Sequence, residues 1–271
     1  MAENKIVYLD IDKVIASRAK GKKIPKFVVN WVKRFIHQDW LNDYFKEGKL
    51  GVEFAEGALE HMNVKLNVIG EENIPAEGRF TFCGNHPLGG ADALSMVAFL
   101  GRKYNGNIVS PANDFLMNVG QVQEFLVPVN KMGVQARELS SLLEEAFQSD
   151  KQLFIFPAGL CSRKIDGKIT DLPWKKTFIT KSRTSHRDVI PYWFSGKNSK
   201  RFYNLDILCK KLKIKLPLAM FCLPDELYRW RNRELTLVFG KPISWETFTS
   251  EKKDIEWAEY VREKVYSLAT E

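Results

Sequence analysis

The chain has 271 residues, of which 45% are hydrophobic and 27% are charged, so it can bury a sizeable core. Lysine and arginine outnumber aspartate and glutamate by 41 to 33, which gives a net charge of +8. This surplus favours an acidic partner: a phosphate-bearing substrate, an acidic carrier protein, an anionic membrane or a nucleic acid. No apolar run reaches the roughly 18 residues of a spanning helix, and the start is no signal peptide, so we expect a chain that lies on a membrane at most.

The cysteines indicate a reduced protein. Cys83, Cys161, Cys209 and Cys222 contain no CxxC pair, and two of them lie in apolar runs. We therefore expect buried thiols in a cytosolic setting, with neither a disulfide framework nor a bound metal.

The first apolar stretch, residues 5–16, alternates well enough to predict a strand. Asp10, Asp12 and Val14 also match the DxDx[TV] opening of haloacid-dehalogenase-type phosphatases, in which the first aspartate attacks phosphorus. That chemistry needs later carboxylates to hold Mg²⁺, and no such acidic cluster follows an apolar strand here. We therefore interpret both aspartates as solvated or helix-capping residues.

Residues 25–46 repeat apolar and aromatic side chains at steps of three and four, which predicts an amphipathic helix. Such an aromatic face usually packs on a core, although a basic helix with Trp and Phe can instead lie in a membrane interface. Asp39 and Asp43 interrupt the polar face, which favours core packing. A second helix is predicted over residues 52–62.

Beyond this N-terminal segment, predicted strands alternate with predicted helices. The strands are 64–69, 79–83, 108–109, 125–129, 152–156, 189–194 and 235–239. The helices are 93–104, 134–147, 198–212 and 257–269, and a further apolar stretch covers 115–119. This alternation predicts an α/β fold, a layered mixed sheet flanked by helices and preceded by a short helical segment. We divide the chain into an N-terminal segment, 1–62, and an α/β domain, 63–271.

A histidine lies in the turn after the second of these strands. Pro87 keeps His86 out of the α region, and Gly89 and Gly90 allow a sharp bend or a close approach to the backbone. Asp92 follows six residues later in the first turn of a helix, near enough to hold one ring nitrogen, as a general base requires. Alternatively, Asp92 is a plain helix-start carboxylate and His86 is a turn residue bonded to a carbonyl.

A second motif follows the strand at 152–156. The strand ends at Pro157, Gly159 allows a tight turn, and Ser162, Arg163 and Lys164 follow. A backbone loop with a hydroxyl and two cations can cradle phosphate, because arginine forks onto phosphate oxygens. The alternative is an ordinary basic loop.

Together, the two motifs resemble the lysophospholipid/glycerophosphate acyltransferase superfamily, the PlsC-like enzymes. Its first block, NHxxxxD, is matched in full by Asn85, His86 and Asp92, and its third block, FPEGTRS, is matched loosely by 156–159 and 162–163. Substrate-binding residues implied by this resemblance are Asn85, Gly89, Gly90, Lys131, Pro157, Gly159, Ser162, Arg163 and Lys164.

The remaining blocks and one departure refine the resemblance. Lys131 stands where the second block ends in arginine, and Pro191 matches the proline of the fourth block. Residues 196–203 and 223–243 look like the hemolysin-like branch, which includes ornithine- and glycine-lipid O-acyltransferases. Ala158 replaces the third-block glutamate that the family associates with a glycerol-phosphate acceptor. This favours another hydroxylated lipid, such as an N-acylated amino acid.

The resemblance implies acyl transfer from a thioester, either acyl-CoA or an acyl-carrier protein, to a lipid hydroxyl, with no cofactor. His86 would take the acceptor proton, Asp92 would hold the imidazole, and N–H groups at 89–91 could stabilise the oxyanion. A rival hypothesis is a thioester hydrolase with Cys161 as nucleophile, and a third is a non-catalytic basic lipid-binding protein. Scattered basic residues argue against nucleic acid. We expect a cytoplasmic protein, peripheral on the inner face of an anionic membrane.

Overall fold

The computed structural model describes residues 3, 5–18, 24–113, 119–130, 136–214 and 218–269. The strands are β1 (Lys65–Ile69), β2 (Phe80–Gly84), β3 (Ile108–Asn113), β4 (Leu126–Asn130), β5 (Gln152–Ile155), β6 (Arg163–Ile165), β7 (Lys168–Thr170), β8 (Asp188–Phe194) and β9 (Glu234–Phe239). The helices are α1 (Ile11–Arg18), α2 (Lys26–Phe35), α3 (Gln38–Phe45), α4 (Gly51–His61), α5 (Ala91–Lys103), α6 (Ala136–Gln148), α7 (Thr177–Thr184), α8 (Lys200–Lys211), α9 (Leu218–Phe221), α10 (Leu223–Arg229) and α11 (Asp254–Tyr266).

One mixed sheet organises the molecule, with strand order β1-β9-β8-β2-β5-β3-β4. Neighbouring strands are parallel except β8 and β9, which are antiparallel, so β1 and β9 run opposite to the other five. β6 and β7 form a separate hairpin. Because β8, β2 and β5 are adjacent and parallel, the loops that follow them meet at one edge of the sheet.

Successive side chains of β2 point to opposite faces, and each face has its own core. Phe80 and Phe82 pack in the cluster that contains α4 and α5, whereas Cys83 packs in the cluster of α7 and α11. Helix α6 covers the β3–β5 region. The predicted layered α/β fold with N-terminal helices is therefore confirmed. The division at residue 62 stays a prediction, and α4 shares a core with α5 across it.

The strand predicted at residues 5–16 is wrong. Its first half is irregular and is held by hydrogen bonds, including one from the Lys5 N–H to the Gly120 carbonyl (2.9 Å), and its second half is α1. Asp10 caps that helix, since its Oδ1 accepts from the Lys13 N–H at 3.1 Å. The capping interpretation of Asp10 is thus confirmed.

The helix predicted at 25–46 is broken into α2 and α3. His37 lies between them with φ of 55°, a left-handed conformation that interrupts the helical hydrogen-bond ladder. The expected core packing is confirmed for Phe35 of α2, which packs against a buried cluster, and for Tyr44 of α3, which is buried. It is wrong for Phe27 and Trp31 of α2, which are exposed. Most of the stretch at 115–119, and residues 134–135 of the next predicted helix, lie outside the described residues.

The fully buried Arg187 connects the start of β2 to α6 and to the segment that follows α6. Its Nε donates to the Phe147 carbonyl (2.7 Å), and its Nη1 donates to the carbonyls of Lys151 (2.8 Å) and Phe80 (3.3 Å). Its Nη2 donates to the Ser149 carbonyl. Burial lowers the pKa of its guanidinium to about 10, so it remains charged at neutral pH. Backbone carbonyls therefore replace a counter-ion.

Arg187→Met should lower the free energy of unfolding by roughly 3–6 kcal/mol, because several buried carbonyls would lose their donors. Urea denaturation followed by circular dichroism measures this. Arg102→Met is the matched control: that side chain is 72% exposed, and losing its pair with Glu56 should cost about 1 kcal/mol or less. Equal losses in the two variants would contradict the role assigned to Arg187.

Candidate active site

The predicted histidine turn lies where β2, β5 and β8 end together. His86 Nδ1 is 3.0 Å from Asp92 Oδ2, so the structure brings the predicted pair into contact. The His86 side chain is 13% exposed and that of Asp92 is fully buried, so the imidazole alone reaches the surface of the site.

Backbone N–H groups of the same turn bind the Asp92 carboxylate. Oδ2 accepts from Leu88 (2.9 Å) and Gly89 (3.2 Å), and Oδ1 accepts from Ala93 (2.9 Å). Burial, the largest influence, favours the protonated acid, but the interaction with His86 and the hydrogen bonds from Leu88 and Gly89 together leave the pKa of Asp92 lowered. The ionised Asp92 can only accept a hydrogen bond, so His86 Nδ1–H is the donor in this contact.

That hydrogen bond fixes the tautomer of His86 and leaves Nε2 with a lone pair. Nε2 has no hydrogen-bond partner within the described ranges. Phe156, just after β5, stacks on the ring with centroids 3.9 Å apart. The imidazole is therefore held from one side by a carboxylate and from one face by an aromatic ring, with a basic nitrogen left for a substrate proton.

Asn85 anchors the turn to the neighbouring strand. Its side-chain amide donates to the Phe194 carbonyl (2.8 Å) and accepts from the Phe194 N–H (2.7 Å). Both ends of the amide are thus occupied by β8. The substrate-binding role predicted for Asn85 stays a prediction, and the structure shows a positioning role.

Asp171, which sequence analysis missed, ties the two motifs together. This buried carboxylate accepts from the Ser162 hydroxyl (2.6 Å), the Trp174 indole N–H (3.1 Å) and the His86 backbone N–H (3.3 Å). Burial raises the pKa of Asp171, in spite of these donors. Its partners lie up to 85 positions away in the chain, so no local pattern marks it.

Arg163 is buried in the protein rather than open to solvent. Its Nε donates to Asp206 at 3.0 Å, its Nη1 donates to the Cys161 carbonyl at 2.5 Å, and its guanidinium lies over the Phe202 ring. Burial raises the pKa of the Cys161 thiol, which opposes the thiolate that a cysteine nucleophile needs.

The other third-block residues differ in exposure. Pro157 and Ser162 are buried, Gly159 turns at φ of 73° and is exposed, and Lys164 is exposed on β6. Lys131 lies outside the described residues. The substrate-binding roles of all these residues stay predictions.

Ala158, at the position of the family glutamate, is only 6% exposed. It belongs to the apolar cluster that contains Trp174 and Phe178, on the side of α7 and α11. The Ala158 side chain therefore packs in a core and offers no polar group to the histidine turn.

Helix α10, which sequence analysis also missed, closes the other side of the turn. A Cβ atom on Gly89 would lie 3.1 Å from Leu223 Cδ2, and one on Gly90 would lie 3.1 Å from Leu227 Cδ1. Gly89 also has φ of 86°. Glycine is therefore needed there for close packing and for the backbone conformation. The Gly89 N–H is held by Asp92, which removes it from the predicted oxyanion donors.

In the described part of the chain, no three His, Cys, Asp or Glu side chains come together as metal ligands would. Nor does any described helix have the length and hydrophobicity to cross a bilayer.

Comparisons with known proteins show what the chain is similar to. A family model described as acyltransferase matches residues 13–271. The chain is 46% identical over 272 residues to a lyso-glycine lipid O-acyltransferase of Bacteroides thetaiotaomicron, covering 99% of this chain and 100% of that protein. It is 45% identical over 272 residues to a protein of the same name from Phocaeicola vulgatus, covering 99% and 98%.

A solved structure shares the fold. The 1-acyl-sn-glycerophosphate acyltransferase PlsC from Thermotoga maritima superposes with a TM-score of 0.50 at 19% identity, covering 95% of this chain and 88% of that one.

The two buried acids should give opposite pH dependences of stability. The folded pKa of Asp92 is lowered, so its stabilising contribution exists above the ordinary carboxyl pKa and is lost as the pH falls through the lowered value. The folded pKa of Asp171 is raised, so its contribution is complete below the ordinary pKa and is lost as the pH rises through the raised value. As the pH is lowered from neutral to about 3, the loss of unfolding free energy caused by Asp92→Asn should become smaller, and the loss caused by Asp171→Asn should become larger.

Urea unfolding of the wild type and both variants across that pH range measures these costs. Asp166→Asn, on the exposed turn between β6 and β7, is the control and should change stability little at every pH. A common trend for Asp92→Asn and Asp171→Asn would contradict the two opposite environments.

Proposed function

The chain belongs to the acyltransferase family and is an acyl-transfer enzyme, and we propose that it moves a fatty acyl group from an acyl thioester to the hydroxyl of an N-acyl amino acid lysolipid. The observation that carries the proposal is the contact of His86 with the buried Asp92, which leaves Nε2 of the imidazole open.

The proposed mechanism needs one base. As the acceptor oxygen attacks the thioester carbonyl carbon, its proton passes to His86 Nε2, and Asp92 stabilises the imidazolium that forms. The tetrahedral intermediate then collapses, the carbon–sulfur bond breaks, and the leaving thiolate takes the proton back from His86. A thioester is already activated, so no covalent nucleophile is needed, which agrees with the buried Cys161.

Two observations support an acceptor other than glycerol phosphate. Ala158 packs in an apolar cluster where the family has its acceptor-associated glutamate, and Arg163 is engaged by Asp206. The relatives at 46% and 45% identity are named for a lyso-glycine lipid. We propose such an acceptor for this chain, with acyl-CoA or an acyl-carrier protein as donor.

The same proposal places the enzyme on an anionic membrane, at the inner face of the bilayer. On α2, Phe27 is 75% exposed and Trp31 is 61% exposed, with the Trp31 ring stacked on Phe35. Lys26 and Arg34 lie on the same helix. Exposed aromatic residues beside basic ones are typical of a helix that lies in a membrane interface, and a lipid substrate is found there.

His86→Gln should lower the rate of acyl transfer by roughly 10²–10⁴-fold, because it removes the base while keeping a polar side chain. The rate is measured by mass spectrometry with acyl donor and a lyso-glycine lipid. His186→Gln, an exposed histidine elsewhere, should keep the wild-type rate. Near-native transfer by a folded His86→Gln variant would overturn the mechanism.

The same assay tests the acceptor. We expect the wild type to acylate the lyso-glycine lipid faster than lysophosphatidate, because the buried Ala158 offers no polar group to a phosphate-bearing acceptor. The opposite order would refute the acceptor but not the base.

Replacing both Phe27 and Trp31 by Ser should weaken binding to anionic vesicles at least tenfold, because their burial in the interface would be lost. Ile255→Ser, which changes an apolar side chain that is 48% exposed on α11, is the control and should have little effect. Co-sedimentation measures the binding. Unchanged binding of the double variant would remove α2 from the membrane contact.

A further inference from the structure

We propose that a surface pocket between the α2–α3 junction and the end of α10 binds the anionic headgroup of a membrane lipid. The pocket has a volume of about 290 Å³ and is lined by His37, Asp225, Tyr228, Arg229, Arg231 and Asn232. This inference rests on the proposed membrane contact, but not on the chemistry proposed for His86.

Three side chains form a rigid stack in this pocket. The rings of His37 and Tyr228 are nearly parallel, with centroids 3.6 Å apart, and the guanidinium of Arg231 lies 3.3 Å from the centroid of the Tyr228 ring. Arg231 Nε also donates to the Tyr228 carbonyl at 2.9 Å. The guanidinium is thus fixed before any ligand arrives, which reduces the entropy that binding would cost.

The donors of this fixed cation remain open. Within the described parts of the chain, neither Nη atom of Arg231 has a hydrogen-bond partner, and the same holds for Arg229, whose Nε is bound to Asp225 at 2.6 Å. Planar guanidinium groups with free N–H donors match the oxygens of a phosphate or a carboxylate. The pocket therefore offers the right donors for an oxyanion.

The charge of the pocket stays positive in spite of Asp225. This carboxylate is already shared by His37 Nε2 (2.9 Å), Arg229 and Arg201. Burial opposes its ionisation, but these partners leave the pKa of Asp225 lowered, so it remains an anion. Asp225 therefore pairs with Arg201 and Arg229, whereas Arg231 has no ion pair among the described residues and is left to an external anion.

The position of the pocket favours a membrane lipid as the source of that anion. Helix α2 ends at Phe35, two residues before His37, and the guanidinium of Arg201 lies 5.0 Å from the centroid of the Phe35 ring. The pocket thus adjoins the helix that exposes Phe27 and Trp31. An aromatic helix in the interface would place the pocket at the depth of the lipid headgroups.

The pocket is separate from the site of acyl transfer. On α10, Leu223 and Leu227 pack on the glycines of the histidine turn, whereas Asp225 and Tyr228 lie on the pocket side of the same helix. Changes in the pocket should therefore alter membrane binding without altering the chemistry at His86.

The test measures binding to phosphatidylcholine vesicles with and without phosphatidylglycerol. Arg229→Gln/Arg231→Gln should lose at least tenfold more affinity for the anionic vesicles than the control Arg102→Gln/Lys103→Gln, which removes two charges from exposed ion pairs at the end of α5. Tyr228→Leu, which keeps every charge, should also weaken binding, because Arg231 would lose its support. Binding to vesicles without phosphatidylglycerol should not differ between the pocket variant and the control.

Two results would overturn the proposal. Equal losses in the pocket and control variants, with no effect of Tyr228→Leu, would show diffuse attraction between the basic chain and the membrane. A raised KM for acyl-CoA with intact vesicle binding would show that the pocket binds the phosphates of the donor instead. Transfer from a short-chain donor to a detergent-dispersed acceptor should stay at the wild-type rate, and its loss in His86→Gln alone separates the two proposals.

Discussion

The turn that holds His86 depends on one buried carboxylate. Asp92 accepts hydrogen bonds from three backbone N–H groups of its own turn as well as from His86. A buried charge is costly unless it is fully paired, so this carboxylate is stable only while the turn keeps its conformation. The turn and the ionised acid thus stabilise each other, and the orientation of the imidazole follows from both.

The sheet supplies the rest of the geometry. Asn85 fixes the turn to β8, and Asp171 fixes it to the loop after β5 through Ser162. At the opposite ends of the same strands, Arg187 binds carbonyls of β2 and of the segment that follows α6. Directional hydrogen bonds from polar side chains therefore fix the central strands relative to one another at both of their ends, whereas apolar packing alone has no directional preference.

The sequence predicted what depends on neighbouring residues. The alternation of strands and helices gave the layered fold, and the spacing of His86 and Asp92 gave their contact, because six positions around Pro87 and a helix start determine it. It did not predict contacts between distant segments. The cation of Arg163 was visible, but its partner Asp206 lies 43 positions further on, and the role of Asp171 exists only once the strands are paired. His37 had no signal either, since its partner Asp225 is 188 positions away.

Helix α10 connects the histidine turn to the junction of α2 and α3. Its leucines contact the glycines of the histidine turn, and its polar side chains hold the junction of α2 and α3. The proposed membrane helix and the proposed headgroup pocket lie on one side of α10, and His86 lies on the other. In the proposed arrangement, α10 would link the membrane contact to the turn that holds His86.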